Sequence, residues 1–235
     1  MRVSEETVNV AVLSANLGGY DTVVPWVDQV VPAGVSVDIH RFDDQNFPPR
    51  TKAMLPALQC GIPKMCGWEL KPGYDAYLWI DASRGLLRSD TVAWFLERLE
   101  RHELLLFLHP ERSTIREEYE FVKQRMADEL TRPVHKQYLV PRYAGEWLDA
   151  QYAAVTPAWY LDNKLYASTA FMYRPTLRVK KMLAEWFYFK ARYILHDQLA
   201  LPFVVRDHRI SPVELTESVY HCEHLPITRT KGRAA

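Results

Sequence analysis

The sequence has few cysteines, no long apolar run and no net charge. Its three cysteines, Cys60, Cys66 and Cys222, are an odd number and too few for a disulfide framework, so we expect a reducing compartment. Lys plus Arg and Asp plus Glu are 29 each, so the charge of the whole chain gives no indication of a nucleic-acid or membrane partner. No stretch reaches the roughly 18 apolar residues that span a bilayer.

A secretory signal is also not expected. The first residues, MRVSEETVNVAVL, carry acids where a signal peptide has bases, and their apolar run is short. Hydrophobic residues make up 48% of the chain and aromatic residues 12%, which is typical of a folded globular protein. We therefore expect a soluble, cytoplasmic protein with no membrane span, and the sequence does not indicate its oligomeric state.

Strand and helix signals alternate along the chain. Strands are predicted by runs rich in β-branched and aromatic residues at 8–14, 35–42, 75–82, 104–109 and 168–174. Helical periodicity covers residues 90–101, 115–126 and 177–194. Ser89 or Asp90 is expected to cap the first helix, and Thr114 with Glu117 forms a capping-box pattern at the second.

This alternation predicts an α/β fold, a Rossmann-like three-layer sandwich around a mostly parallel sheet. Residues 43–73 contain many prolines and little periodicity, so we expect a long excursion over the sheet edge. With no repeat or linker, we predict a single domain over residues 1–227. The basic tail at 228–235 is expected to be flexible.

Polar residues follow the first two predicted strands. Asn16, Gly18, Gly19 and Tyr20 come after the first, where a glycine pair lets backbone amides approach a phosphate or a nucleoside. The segment is neither GxGxxG nor a Walker loop, and a plain turn is the alternative. Asp43 and Asp44 end the second strand. Their carboxylates can accept hydrogen bonds from a sugar hydroxyl or a nucleobase, but an Asp-Asp pair also commonly caps a turn.

The third strand ends on Asp81, followed by Ser83 and Arg84. An acidic group at the end of a hydrophobic strand lies where α/β enzymes bind ligands. Hard oxygen ligands suit Mg²⁺ or Mn²⁺, although the second acid of an Asp-x-Asp pair is here Ser83. Ser83 and Arg84 are also expected to hold phosphate oxygens.

Two polar clusters occur late in the chain. His196, Asp197 and Gln198 precede an apolar segment, and the alternatives are a catalytic or acceptor-binding carboxylate and a helix capped by Asp197. Residues 221–224 read His-Cys-Glu-His without a partner CxxC or HxxxH, which does not indicate a structural zinc site. A single late histidine, His221 in preference to His208 or His224, is expected to reach a metal held elsewhere.

Four segments in order resemble the GT-A-type glycosyltransferase-like family of the plant turgor-defect and mucilage-related proteins. They are ANLGGYD at the first strand, YDAYLWIDAS around Asp81, HPERSTIREEYEFV with His109 and Arg112, and HDQLALPFVV with Asp197 and Gln198. The likeness covers residues 9 to about 205. It departs from the family in having no membrane anchor and in lacking the second acid after Asp81.

The resemblance implies a GT-A-like fold and a hexosyl- or pentosyltransferase that uses a nucleotide-sugar donor, a UDP-sugar in our interpretation. The acceptor is a hydroxyl of a glycan, a protein or a hydroxylated DNA base. Basic residues at 178–181 and 229–233 are compatible with DNA or simply with a solvated surface. The alternative is a non-catalytic nucleotide-sugar or glycan-binding protein of the same fold.

The predicted roles are as follows. Catalysis is assigned to Asp197, Gln198 and His196. A divalent metal, Mn²⁺ or Mg²⁺, is assigned to Asp81, Ser83 and His221. Donor binding is assigned to Asn16, Gly18, Gly19, Tyr20, Asp43, Asp44, Lys64, Ser83, Arg84, His109 and Arg112.

Overall fold

The computed structural model describes residues 7–19, 21–48, 50 and 53–228. These residues form a six-stranded sheet with the order β2-β1-β3-β5-β4-β6. The strands are β1 (Val8–Asn16), β2 (Val35–Asp43), β3 (Ala76–Ile80), β4 (Leu104–Leu108), β5 (Tyr166–Tyr173) and β6 (Val213–Leu215). Tyr20, predicted to bind the donor, and residues 229–235, in the predicted basic tail, lie outside the described residues.

The sheet is mostly parallel, as predicted. β1 runs parallel to both β2 and β3, and β4 runs parallel to β6. β5 is antiparallel to both of its neighbours, β3 and β4. A strand's residue pattern does not encode its direction, because direction depends on where the preceding connection returns the chain to the sheet. β6 was not predicted, since three residues are too short for a periodic signal.

Helices cover both faces of the sheet, which gives the predicted α/β sandwich. They are α1 (Pro56–Gln59), α2 (Gly61–Met65), α3 (Gly67–Leu70), α4 (Thr91–Leu99), α5 (Ile115–Leu130), α6 (Val140–Tyr143), α7 (Leu148–Val155), α8 (Leu177–Arg192) and α9 (Leu201–Asp207). Trp186 of α8 packs in the core on one face with Phe171, and Phe95 of α4 packs in the core on the other face with Phe107.

The helix starts follow local sequence. The capping box at α5 is confirmed, because the Thr114 side chain accepts from Glu117 N and the Glu117 side chain accepts from Thr114 N. Thr176 caps α8 in the simpler way, by accepting from Val179 N. Asp90 occupies the N-cap position of α4 but makes no side-chain cap, because its carboxylate is paired with Arg88.

The segment 43–73 is more ordered than predicted, because it contains α1, α2 and α3. Helices of four or five residues are too short to show helical periodicity. The segment packs closely on the first strand: a Cβ added to Gly67 would lie 2.1 Å from Leu13 Cδ1. This packing holds α2, and Lys64 on it, above the sheet.

None of the helices in the described part of the chain has the length and apolar character needed to cross a membrane.

Candidate functional site

The site lies at the edge of the sheet where the parallel strands have their carboxyl ends. β2 and β3 flank β1 on opposite sides, so the direction in which strands are added reverses at β1. Such a reversal opens a crevice outside the strand ends, where ligands of α/β proteins bind. The two segments that border it are the loop after β1 and Asp81 after β3.

The loop after β1 is fastened to the end of β2. Gly18 N donates to both carboxylate oxygens of Asp44, at 3.0 and 3.1 Å. Gly18 and Gly19 have φ of 71° and 60°, in the left-handed region that favours glycine. Asn16 closes the loop, since its Nδ2 donates to Asp21 O and its Oδ1 accepts from Asp21 N. The structure thus brings together two segments that were predicted to contact the nucleoside.

Asp43 has a local role. Its Oδ1 accepts from the backbone N–H groups of Gln45 and Asn46 at 2.9 and 3.0 Å. This is the hydrogen bonding of an Asx turn. The turn interpretation of Asp43 therefore accounts for its side chain, and Asp44 is the residue that reaches the glycine loop.

Asp81 is the partly exposed acid of the crevice. Its Oδ1 accepts from Trp79 Nε1 at 2.8 Å and from Lys64 Nζ at 3.2 Å, and its side chain is 35% exposed. Its other oxygen, Oδ2, has no hydrogen-bond partner among the residues that the structure describes. The carboxylate is therefore held by one oxygen and offers the second to the crevice.

Lys64 connects Asp81 to Asp197. Its Nζ lies 2.7 Å from Asp197 Oδ2, and the other carboxylate oxygen of Asp197 lies 2.5 Å from Lys190 Nζ. The Lys64 and Lys190 side chains are 5% and 8% exposed. We call Asp81, Lys64, Asp197 and Lys190 the charge network; it contains two cations and two anions, so its net charge is zero.

Burial and neighbouring charges shift the pKa values of Asp197 and Lys64 in opposite directions. Burial alone would raise the pKa of Asp197, but the charges and hydrogen bonds of Lys190 and Lys64 outweigh it and hold that pKa well below its usual range. Burial likewise lowers the pKa of Lys64, and the carboxylates of Asp197 and Asp81 more than offset this, so the pKa of Lys64 is raised. Asp197 and Lys64 therefore stay ionised near neutral pH.

A break in the β4–β5 pairing brings a hydroxyl to the network. The register passes from Leu106 opposite Phe171 to Phe107 opposite Ala167, so residues 168–170 bulge away from β4. Thr169 O accepts from Asp81 N at 2.8 Å, and Ser168 Oγ lies 3.4 Å from Lys64 Nζ. Bulges commonly redirect a side chain beside a functional site, and this one directs Ser168 to Lys64.

The prediction that Asp197 caps a helix is wrong. Asp197 lies inside a short 3₁₀ turn, Asp197–Leu199, whose N-cap residue is His196 and which has no side-chain cap hydrogen bond. The Asp197 carbonyl accepts from Trp186 Nε1 at 2.8 Å, and the carboxylate is engaged by two lysines. A low pKa and two engaged oxygens disfavour a general base and favour a residue that positions Lys64. Gln198 is half-buried in the same turn.

His196 belongs to a second buried polar chain. Its Nε2 lies 2.6 Å from Glu118 Oε1, and its Nδ1 lies 3.3 Å from the Tyr143 hydroxyl. Glu118 also pairs with Arg112. Burial would raise the pKa of Glu118, but the hydrogen bonds and charges of His196 and Arg112 lower it to about 2. Both ring nitrogens of His196 thus have partners within the chain.

His109 ends this chain. Its Nδ1 accepts from the backbone N–H groups of Glu111 and Arg112, at 3.2 and 3.1 Å. Burial and the nearby Arg112 charge lower its pKa, so the ring stays neutral. His109 and Arg112 were predicted to bind the donor. In the structure their side chains contact each other, and Arg112 also pairs with Glu118. Their role in donor binding stays a prediction.

Ser83 and Arg84 face the C-terminal segment of the chain. Ser83 O accepts from Thr228 N at 3.0 Å, and the Arg84 side chain, 5% exposed, donates from Nη1 to Leu225 O at 3.2 Å. These contacts fasten the end of the chain beside β3. Phosphate binding by these two residues stays a prediction.

The residues around Asp81 fit a divalent cation poorly. Lys64 places an ammonium group 3.2 Å from Asp81 Oδ1, and this charge repels a cation at the same carboxylate. His221 lines a separate cavity with Trp94 and Glu217. Within the described residues, the one group of three metal-ligand side chains comprises Glu185, Asp207 and His208. His208 is there hydrogen-bonded to Glu185 at 2.6 Å.

Three members of the site were not predicted: Lys190, Ser168 and Trp186. Lys190 carried a signal, since it lies four residues after Trp186 on the apolar face of α8, where an unpaired charge is costly. Ser168 carried none, because the bulge that directs it depends on the pairing of β5 with two strands.

A scan against protein-family models finds no match for this chain, and no curated protein matches its sequence.

Proposed function

We propose that the protein is a glycosyltransferase with a GT-A-like fold, which moves a sugar from a nucleotide-sugar donor, a UDP-sugar, to a hydroxyl acceptor. One observation carries this proposal. Asp81, held through Oδ1 by Lys64 and Trp79 and with its side chain 35% exposed, stands at the carboxyl end of β3 where the strand order reverses, next to the glycine loop of β1. Reversal points of this kind are where α/β proteins bind nucleotides.

The donor's nucleoside would lie on the β1 side of the crevice. There Gly19, whose Cβ position has no atom within 4 Å, leaves room for a close approach to the backbone, whereas Gly18 packs against Pro56. Asp44 fixes the shape of this loop through Gly18 N. The sugar would then extend toward Asp81, one strand further along the sheet.

The transfer forms a bond between the acceptor oxygen and the anomeric carbon and breaks the bond from that carbon to the diphosphate oxygen. The diphosphate leaves with the bonding electron pair, and the acceptor proton passes to a base. The Asp81 carboxylate, whose Oδ2 has no hydrogen-bond partner among the described residues, can accept a hydrogen bond from a sugar hydroxyl or take that proton. Lys64 and Trp79 fix the carboxylate for this task through Oδ1.

Asp197 acts in this scheme through Lys64. By holding both lysines, it keeps Lys64 Nζ within hydrogen-bond distance of Asp81. The Lys64 ammonium group competes with Mn²⁺ or Mg²⁺ for Asp81, and no step above requires the metal.

A non-catalytic nucleotide-sugar-binding protein is the second candidate. It is favoured by the charge network itself, in which the late carboxylate Asp197 has both oxygens engaged and a lowered pKa. In this case, Asp81 would bind a sugar hydroxyl and take no proton.

The deciding experiment incubates the purified chain with a panel of UDP- and GDP-sugars and candidate acceptors, with Mn²⁺, Mg²⁺ or EDTA, and follows donor and product by mass spectrometry. Glycosyl transfer or donor hydrolysis that Asp81→Asn abolishes supports the enzyme. Asp28→Asn is the matched control, because Asp28 is exposed and is not among the hydrogen-bond or ion-pair partners of the network. Saturable donor binding without turnover supports the second candidate, and binding of no donor rejects both.

A further inference from the structure

A cavity of about 400 Å³ opens between α9, the edge strand β6 and the start of β5. Its polar and aromatic lining comprises Tyr160, Lys164, Tyr166, Arg206, Arg209 and Glu214. The cavity is distinct from the crevice at Asp81, and the two share strand β5, because Tyr166 lines the cavity and Ser168 contacts Lys64. Tyr166 and Ser168 are two residues apart on β5, so their Cα atoms are at most about 7.6 Å apart.

The cavity carries excess positive charge. Glu214 is its one acidic lining residue, and its Oε1 accepts from Lys164 Nζ at 2.6 Å and from the Tyr166 hydroxyl at 2.7 Å. Because Lys164 neutralises this carboxylate, Arg206 and Arg209 leave two positive charges. The protein as a whole has a net charge of zero, so this is a local accumulation that favours anions.

Arg206 is fixed in place before any ligand binds. Its guanidinium donates to Leu161 O and, at 2.7 Å, to Asn163 Oδ1. Its Cζ lies 4.8 Å from the ring centroid of Tyr160. The cavity therefore combines an ordered cation with aromatic walls, a combination suited to a ring that carries an anionic group.

Arg209 has an unusual backbone. Its φ is 53°, in the left-handed region that glycine usually occupies just after a helix. Its guanidinium has no hydrogen-bond or ion-pair partner among the residues described by the structure. This φ belongs to the end of α9, where Arg209 N donates to Arg206 O and Ile210 N donates to Val205 O, the hydrogen bonds of a helix C-terminal motif. The Arg209 side chain lies in the cavity lining and contributes a cation there.

We propose that this cavity binds an anionic sugar, a hexose bearing a phosphate or carboxylate group, and presents it to the Asp81 crevice as the acceptor. The volume suits a ligand of small size. The acceptor role rests on the proposed function, whereas the binding does not. In that role, an acceptor hydroxyl oxygen bonds to the donor's anomeric carbon, the diphosphate leaves with its electron pair, and the proton passes to Asp81 or to water.

The test is calorimetric titration of the full chain with three probes: glucose 6-phosphate, glucuronate and glucose. We expect at least one anionic probe to bind about tenfold or more tighter than glucose, as one charge-assisted hydrogen bond allows, and to bind more weakly as salt is added. The two anionic probes separate a phosphate from a carboxylate ligand. Arg209→Gln should weaken the binding about tenfold.

Arg101→Gln is the control, because it removes the same charge from an exposed position outside the cavity. The proposal is wrong if neither anionic probe binds better than glucose, or if Arg209→Gln binds like the parent or no more weakly than Arg101→Gln. If the anionic probe binds but no donor is turned over, the cavity proposal is supported and the glycosyltransferase proposal is wrong. If donor is turned over but no anionic probe binds, the glycosyltransferase proposal is supported and the cavity proposal is wrong.

Discussion

The charge network and the cavity lined by Tyr160 and Arg209 both contain cationic side chains, but they differ in whether those cations are paired with carboxylates. In the network, two lysines meet two carboxylates and every charge is paired within the chain. In the cavity, one acid meets three cations, and Arg209 stays exposed. Buried charges must be paired because desolvation is costly, whereas a solvated excess remains available to a ligand. Buried paired charge thus indicates structural positioning, and open unpaired charge indicates binding.

The largest expected effect comes from breaking the network at Asp197. Asp197→Asn keeps the size of the side chain but leaves Lys64 and Lys190 buried with one carboxylate fewer. Removing one partner of a buried pair typically costs about 3–5 kcal/mol, and we expect a loss of stability in that range in urea unfolding. The exposed Asp207→Asn is the control and should change stability by less than about 0.5 kcal/mol. Equal stability of the two variants would show that the network is not structural.

The second effect concerns Glu118 and pH. Its folded pKa is about 2 against 4.5 for an ordinary Glu, so its contribution to stability is fully present above about pH 4.5 and is lost as pH falls toward 2. At about 1.4 kcal/mol per pKa unit, the contribution is about 3 kcal/mol. Glu118→Gln should therefore lose stability at pH 7 and show a flatter stability profile between pH 4.5 and 2. Parallel profiles for variant and parent would contradict the assignment.

Asp81 tests the exposed end of the network. Because its side chain is 35% exposed, Asp81→Asn should leave the melting temperature within a few degrees of the parent. Transfer should fall roughly a hundredfold or more, since loss of a positioned proton acceptor has that size. Steady-state kinetics and a thermal melt on the same preparation separate the two readouts. A variant that melts early but turns over normally would reverse the roles given to Asp81 and Asp197.

The smallest expected effect is a gain. Arg209→Gly places glycine where φ is 53° and should raise stability by roughly 0.5–1 kcal/mol, because relief of roughly 1–2 kcal/mol of side-chain strain outweighs the roughly 0.5–1 kcal/mol of extra conformational entropy that glycine loses on folding. The same variant should lose the binding of the anionic sugar. Arg101→Gly, outside the cavity, is the control for the loss of charge. If Arg209→Gly were destabilising, the side chain would be a structural member of the lining.

Sequence patterns were most informative where the physics is local. The Thr114 capping box, the apolar strands and the amphipathic helices α4 and α8 could be predicted because caps and periodicity depend on neighbours within a few residues. Asp81 and the glycine loop were recognised for the same reason, as polar residues directly after apolar runs. The short helices α1–α3 and the strand β6 left no such signal.

The partners of those residues could not be predicted. Lys64 and Asp197 are 133 positions apart, and no local pattern links them. Even the chemistry of Asp197 changed with its context, since two lysines turn a carboxylate that suits a base into a permanently ionised structural anion.

The amino-acid sequence by itself thus determined the α/β class, most strand positions and the acidic end of β3, because burial periodicity and capping are properties of short stretches of chain. Only the tertiary structure decided the direction of β5, the bulge that directs Ser168 to Lys64, and the pairing of two lysines with two aspartates. It also decided that Arg206 and Arg209 share a cavity with Tyr160. These features depend on contacts between segments that are far apart in sequence. Such contacts stabilise the protein only after the chain has paid the entropy cost of bringing those segments together, so no short stretch of sequence encodes them.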